Sequence, residues 1–154
     1  MTPVIPVLLS LSTLSQTDPT GREAADPIRM LVPGDLTIED GVYTIRYQES
    51  QPNEETGTVS TQQIVLTLAP GRVTMSREGV FSTTMVFVRG QRFEGAYRTP
   101  YGDLEMAVYA TRADCELSPT AGSVHLQYTL DMQGAFAAMN TLEITWAARL
   151  PKQS

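Results

Sequence analysis

The stretch from Phe93 to Arg112, FEGAYRTPYGDLEMAVYATR, alternates apolar and polar side chains on both sides of a Gly-Asp pair. In a β-strand successive side chains point to opposite faces, so a period of two sustained over this length marks paired strands. The same rhythm recurs along most of the chain, and no window carries the 3.6-residue apolar stripe of an amphipathic helix. Gly and Pro interrupt the pattern roughly every eight to twelve residues, the spacing of an antiparallel barrel or sandwich. The 154 residues are enough for one domain, taken as residues 1–154, with a core of its own.

Strands are predicted at Val4–Ser15, Pro27–Val32, Asp35–Glu39, Val42–Ser50, Thr58–Leu68, Arg72–Arg77, Val80–Val88, Arg92–Tyr101, Leu104–Arg112, Ser123–Gln133 and Ala138–Leu150. The predicted turns are Asp18-Pro19-Thr20-Gly21, Pro33-Gly34, Asp40-Gly41, Pro70-Gly71, Glu78-Gly79, Arg89-Gly90 and Gly102-Asp103, each built on residues that set or tolerate turn dihedrals. Gln51–Gly57 reads as an exposed loop, Asp114–Gly122 as irregular, and Ala135–Met139 as room for one helical turn. Pro lacks an N–H for the ladder, so the segments Pro3–Pro6 and Pro27–Pro33 are where closure of a barrel should be incomplete.

Seventeen acidic against eleven basic residues give a formal charge of −6, which argues against nucleic acid or an anionic membrane as partner. The apolar run Val4–Leu14 has no preceding Lys or Arg, is broken by Pro6, and leads to no small-residue cleavage site, so it reads as a strand rather than a leader. No run reaches the roughly 20 apolar residues of a membrane-spanning helix. Cys115 is the only cysteine, which excludes an intramolecular disulfide and leaves a cytoplasmic location as the expectation.

Chemistry-bearing residues are few. His125, the only histidine, falls out of phase with Val124 and Leu126 and is expected on the outer face. Cys115 is placed in a loop between Asp114 and Glu116, whose charges raise a thiol pKa. One His and one Cys ten residues apart match no zinc spacing, and no glycine-rich phosphate loop occurs, so neither a metal nor a nucleotide cofactor is expected. Asp35, Glu39 and Asp40 read as solvated turn residues.

Polar residues in phase with the apolar set are the ones that need explaining. Glu49 follows Tyr43, Ile45 and Tyr47 on one face, and Arg77 follows Val73 and Met75 on another, so both enter one interior. A lone buried charge is costly while a paired one is tolerable, so Glu49 and Arg77 are predicted to meet. Tyr47, Tyr97, Thr99, Tyr101 and Tyr128 share the phase and supply hydroxyls.

With these residues in place, the chain resembles the YwiB-like family of uncharacterised bacterial proteins. The likeness is carried by YxIxYQES at Tyr43–Ser50, VxMxREG at Val73–Gly79, YRTPYGDLEMxVxAT at Tyr97–Thr111 and VHLQYTL at Val124–Leu130. The resemblance implies an antiparallel, calycin-like up-and-down barrel, similar in shape to lipocalins and fatty-acid-binding proteins, with no assigned activity. The Gly-x-Trp of true lipocalins is absent near the first strand.

Two functions from different classes remain. In one, the barrel binds a small amphipathic or anionic molecule, with Arg77 and Glu49 among Tyr47, Tyr97, Thr99 and Tyr128 as the polar anchor. Met75, Met85, Phe87, Met106 and Leu126 would then surround a tail. In the other, the pair merely closes one end of a side-chain-filled barrel whose outer surface meets a protein partner. Catalysis is the least favoured reading. Ala107 and Tyr109, with Met139, Thr141 and Ala147, give modest outward apolar surface for a homodimer.

Overall fold

A computed structural model describes residues 3–17, 26–52 and 57–149. Their strands are β1 (Ile5–Gln16), β2 (Ile28–Glu39), β3 (Val42–Pro52), β4 (Val59–Ala69), β5 (Arg72–Glu78), β6 (Ser82–Phe87), β7 (Arg92–Thr99), β8 (Gly102–Leu117), β9 (Ala121–Met132) and β10 (Ala135–Ala148). Each pairs antiparallel with its sequence neighbour, and β10 returns to β1, so the sheet closes into an up-and-down barrel. Among the described residues there is no helix, and therefore none long and apolar enough to cross a membrane.

Alternation fills the interior as expected. Val7, Leu9 and Leu11 of β1, Ile64, Leu66 and Leu68 of β4, and Val124 and Leu126 of β9 are all buried, with intervening residues turned outward. The Asp40-Gly41 hairpin forms with positive φ at both positions, 52° and 79°, as a tight right-twisted turn requires.

Several boundaries differ from expectation, each for a physical reason. β2 runs unbroken through Pro33 and Gly34. Gly34 is there because its neighbours press close: a side chain would strike Leu9 and approach the Arg46 carbonyl to 3.0 Å. The missing N–H of Pro33 shows only on the far edge, where the β2–β3 ladder begins at Gly34. The first strand closes without interruption against both β10 and β2, despite Pro6.

The β7–β8 turn is Pro100-Tyr101, not Gly102-Asp103. Thr99 and Gly102 pair across it, and the Thr99 hydroxyl donates to the Gly102 carbonyl (2.7 Å) and accepts from the Tyr101 N–H (3.1 Å). Tyr101 is thereby 97% exposed rather than inward. The segment expected to be irregular after Asp114 is strand: β8 continues to Leu117, and β9 starts at Ala121. A bulge between Ala110 and Arg112 flips the phase, so Ala110 and then Ala113 face inward on opposite sides of it.

The expected helical turn at Ala135–Met139 is likewise strand. It follows a second positive-φ hairpin at Gln133-Gly134 and carries a register shift between Phe136 and Ala138. The predicted strand Val80–Val88 shortens to β6, and Gln51 and Pro52 extend β3. The predicted turn at residues 18–21 and the centre of the predicted loop, residues 53–56, lie outside the described residues.

One junction is incomplete. β6 and β7 pair only at Ser82 with Arg98 and Thr83 with Tyr97, whereas β5 and β6 stay paired from Arg77–Thr83 to Val73–Phe87. Below this short ladder an isolated bridge joins Arg89 to Ala110 of β8.

Candidate functional site

The polar interior residues gather at the end of the barrel where β1, β3, β5, β7 and β9 finish. Arg77 enters from β5 between Ile64 of β4 and Thr83 of β6. Glu49 enters from β3 beside Gln62 of β4. Arg77 Nη1 donates to Glu49 Oε2 at 2.7 Å and to Gln62 Oε1 at 3.1 Å, so the expected meeting of the two charges takes place. Their side chains are 26% and 15% exposed, a half-buried setting in which a carboxylate without its cation would be poorly solvated.

Gln62 is the member that the sequence reading missed. It is buried at 8% exposure, and its signal was its phase, two residues before Ile64. Both of these Arg77 bonds leave from Nη1; Nε and Nη2 have no side-chain partner among the described residues. That edge of a guanidinium is the fork that takes a carboxylate or phosphate through two parallel bonds.

Beside Arg77 lies a cavity of about 380 Å³, within the usual range of small-molecule sites. Gln62, Thr83, Tyr97 and Tyr128 supply polar atoms to its wall, and Met85, Met106, Leu130, Met132 and Phe81 supply most of the apolar surface. Three methionines give a wall that adapts to its contents. Phe81 and Tyr97 stack at 5.8 Å between ring centroids. Phe87 of β6 meets Tyr128 of β9 at 4.6 Å between ring centroids; these strands are not neighbours, so the contact spans the interior next to the cavity, whose wall includes Tyr128.

Tyr47 and Tyr128 are both buried. Burial pushes the Tyr47 hydroxyl well above its ordinary pKa, the Glu49 charge adds to the rise, and Arg77 opposes it. Tyr128 is raised by burial as well, moderated by a hydrogen bond with Asn140 and by Arg77. Both therefore stay protonated as hydrogen-bond donors. Tyr97 reaches the cavity, whereas Thr99 does not line it and instead closes its own turn. Met75, Phe87 and Leu126 belong to the packed core beneath.

His125 faces outward, 3.5 Å from Glu143 through Nδ1 and Oε1. Cys115 lies on β8 rather than in a loop, packed on the core, and burial followed by the Asp114 charge pushes its thiol up to about 11. Neither belongs to the Arg77 cluster, and among the described residues no three His, Cys, Asp or Glu side chains converge as a metal site. Ala107, expected as exposed dimer surface, is buried. Its cross-strand partners are Glu94 and Asp131, and Arg92 bridges those two carboxylates at 3.2 and 3.3 Å, which lays its guanidinium across Ala107.

Fold and site together define an up-and-down β-barrel with an arginine-bearing cavity at one end. The chain belongs to the family described as Domain of unknown function (DUF1934), whose model matches residues 11–144. It is similar in fold to the crystal structure of the YwiB protein from Bacillus subtilis, with a TM-score of 0.76 at 15% identity, covering 97% of this chain and 96% of that one. No curated protein matches it.

Proposed function

We propose that the protein binds a small amphipathic, anionic molecule in the open end of the barrel, with Arg77 receiving the charged group. One observation supports this above the others: a half-buried guanidinium, whose fork has no side-chain partner among the described residues, borders a cavity whose remaining wall is largely apolar. Gln62, Tyr97 and Tyr128 add donors around it, and the nearby acceptor, Glu49, is already engaged by Arg77. A donor-rich, acceptor-poor end suits a carboxylate, sulfonate or phosphate, and the volume suits a medium-chain or aromatic body. Tyr47 acts behind the pair by holding its polarity, and Thr99 positions the turn above it. The reading needs neither a cofactor nor nucleic acid, and it takes the protein as cytoplasmic.

The test is thermal melting of the purified protein with decanoate, naphthoate and their neutral amides, with native mass spectrometry of the untreated sample. Stabilisation by the acids and not the amides is expected, and it should vanish in Arg77→Met. Equal responses to acids and amides, or none to either, would overturn the reading.

An interaction protein is the second reading, favoured by one observation. Leu8 and Leu31 are exposed on neighbouring strands, and with Ala147 they line an outer apolar depression that a second copy of the chain is able to cover.

A further inference from the structure

We propose that the β6–β7 junction is a lateral window through the barrel wall, and that a bound amphiphile lies across it. Its anionic end stays in the window near Arg77 and Arg98, while its apolar part enters the cavity. This inference rests on the binding reading above and names the shape and orientation of the ligand.

The window follows from strand pairing. A continuous ladder of backbone hydrogen bonds closes the sheet between two strands, and at this junction the ladder ends after two register pairs. A groove of about 550 Å³ is lined by Ser82, Thr84, Ala96 and Arg98, which are outward by phase, and also by Arg77, Thr83, Phe93 and Gly95, which are inward. Thr84 of β6 and Phe93, Gly95 and Ala96 of β7 line it beyond the last register pair, Thr83 with Tyr97. Arg77 and Thr83 also line the interior cavity, so groove and cavity adjoin at those two residues. The β2–β3 ladder also stops early, at Gly34, but the groove there shares no residue with the cavity.

Thr83 is the sill between the two spaces: its hydroxyl donates to the Ala96 carbonyl at 3.2 Å and touches Met106 Sδ at 3.5 Å. Phe93 lies half-buried against the core at the lower side of the opening, its ring resting over Gly95. Small residues at Gly79, Gly95 and Ala96 keep the groove clear.

Charge gives the orientation. Arg77 is partly exposed, so an anion bound there is not forced into a fully dry site. Arg98 is exposed on the rim and makes no ion pair among the described residues, although Asp103 faces it across β8 and Glu78 lines the groove. An anionic end between the two arginines keeps part of its hydration and gains both charges.

The test uses the intact chain with two fluorescent probes, the anionic anilinonaphthalene sulfonate and the neutral N-phenylnaphthylamine. Arg98→Glu, an exposed change that leaves the core alone, should weaken the anionic probe about tenfold at low salt and leave the neutral probe unchanged. Arg72→Glu, at the opposite end, should change neither. Bound probe should also slow amide exchange in Arg92–Ala96. If wild type and Arg98→Glu bind the anionic probe equally, the window is overturned while cavity binding stands. Equal weakening of both probes, or no protection of Arg92–Ala96, overturns it too. Failure of the wild type to bind either probe removes the binding reading and the window with it.

Discussion

Arg77 Nη1 sits 2.7 Å from Glu49 Oε2, although the two residues lie 28 positions apart and on strands separated by β4. Because Glu49 is only 15% exposed, removing the arginine leaves a carboxylate that water solvates poorly. Arg77→Met should therefore lower stability by about 2 kcal/mol, less than for a fully buried pair because Arg77 keeps some solvent. Arg77→Met with Glu49→Gln should recover part of the loss. Denaturant melts of the single and double variants give the coupling; strictly additive losses would show that the two do not act as partners.

Gly122 and Trp146 are cross-strand partners, and the indole lies flat against the place where a side chain at 122 would begin. A methyl there would land inside the ring. Gly122→Ala should destabilise by about 2 kcal/mol through overpacking. Trp146 is the only tryptophan and its buried Nε1 has no partner among the described residues, so its emission reports the displacement directly. A variant with wild-type melting and unchanged emission would mean that the wall yields at no cost.

The all-β class, the Asp40-Gly41 hairpin and the Arg77–Glu49 pair were legible because alternation states which face each side chain takes, and a closed interior forces charges on one face to meet. What alternation cannot state is where its own phase resets. The bulge after Ala110 turns Ala113, Cys115 and Leu117 into inward positions that look random when counted from Met106 and Val108. A fixed phase likewise carried Tyr101 inward when the turn had already begun at Pro100. Gln62 was overlooked because an uncharged polar residue before an apolar run looks like a strand end. The short β6–β7 ladder has no local sequence sign at all, since it depends on how far two strands stay paired.

Cys115 illustrates alkaline linkage. Its folded pKa of about 11 exceeds the ordinary 9.0 because burial penalises the thiolate. The protonated thiol's stabilisation is thus complete below pH 9 and is lost as pH rises towards 11. Tyr47 and Tyr128, also raised, extend the loss above 10. Stability should begin to fall near pH 9, and in Cys115→Ala the onset should move towards 10. At pH 8 the folded thiol should react slowly with an aromatic disulfide reagent and quickly once unfolded. Rapid reaction in the native state would contradict the burial.

Thr83 holds one of the two register positions joining β6 to β7, and its hydroxyl adds the bond to the Ala96 carbonyl. Thr83→Val keeps the shape but removes the donor, at a loss of about 1 kcal/mol. Because the ladder there is so short, the effect should be local. Amide exchange should accelerate in Thr84–Phe87 and Arg92–Ala96, while β1, β4 and β9, each paired on both sides over most of its length, stay protected. Uniform acceleration across the barrel would mean that the junction opens only with global unfolding. No acceleration at Arg92–Ala96 would mean that other contacts, such as Phe93 against the core, hold the junction shut without the hydroxyl.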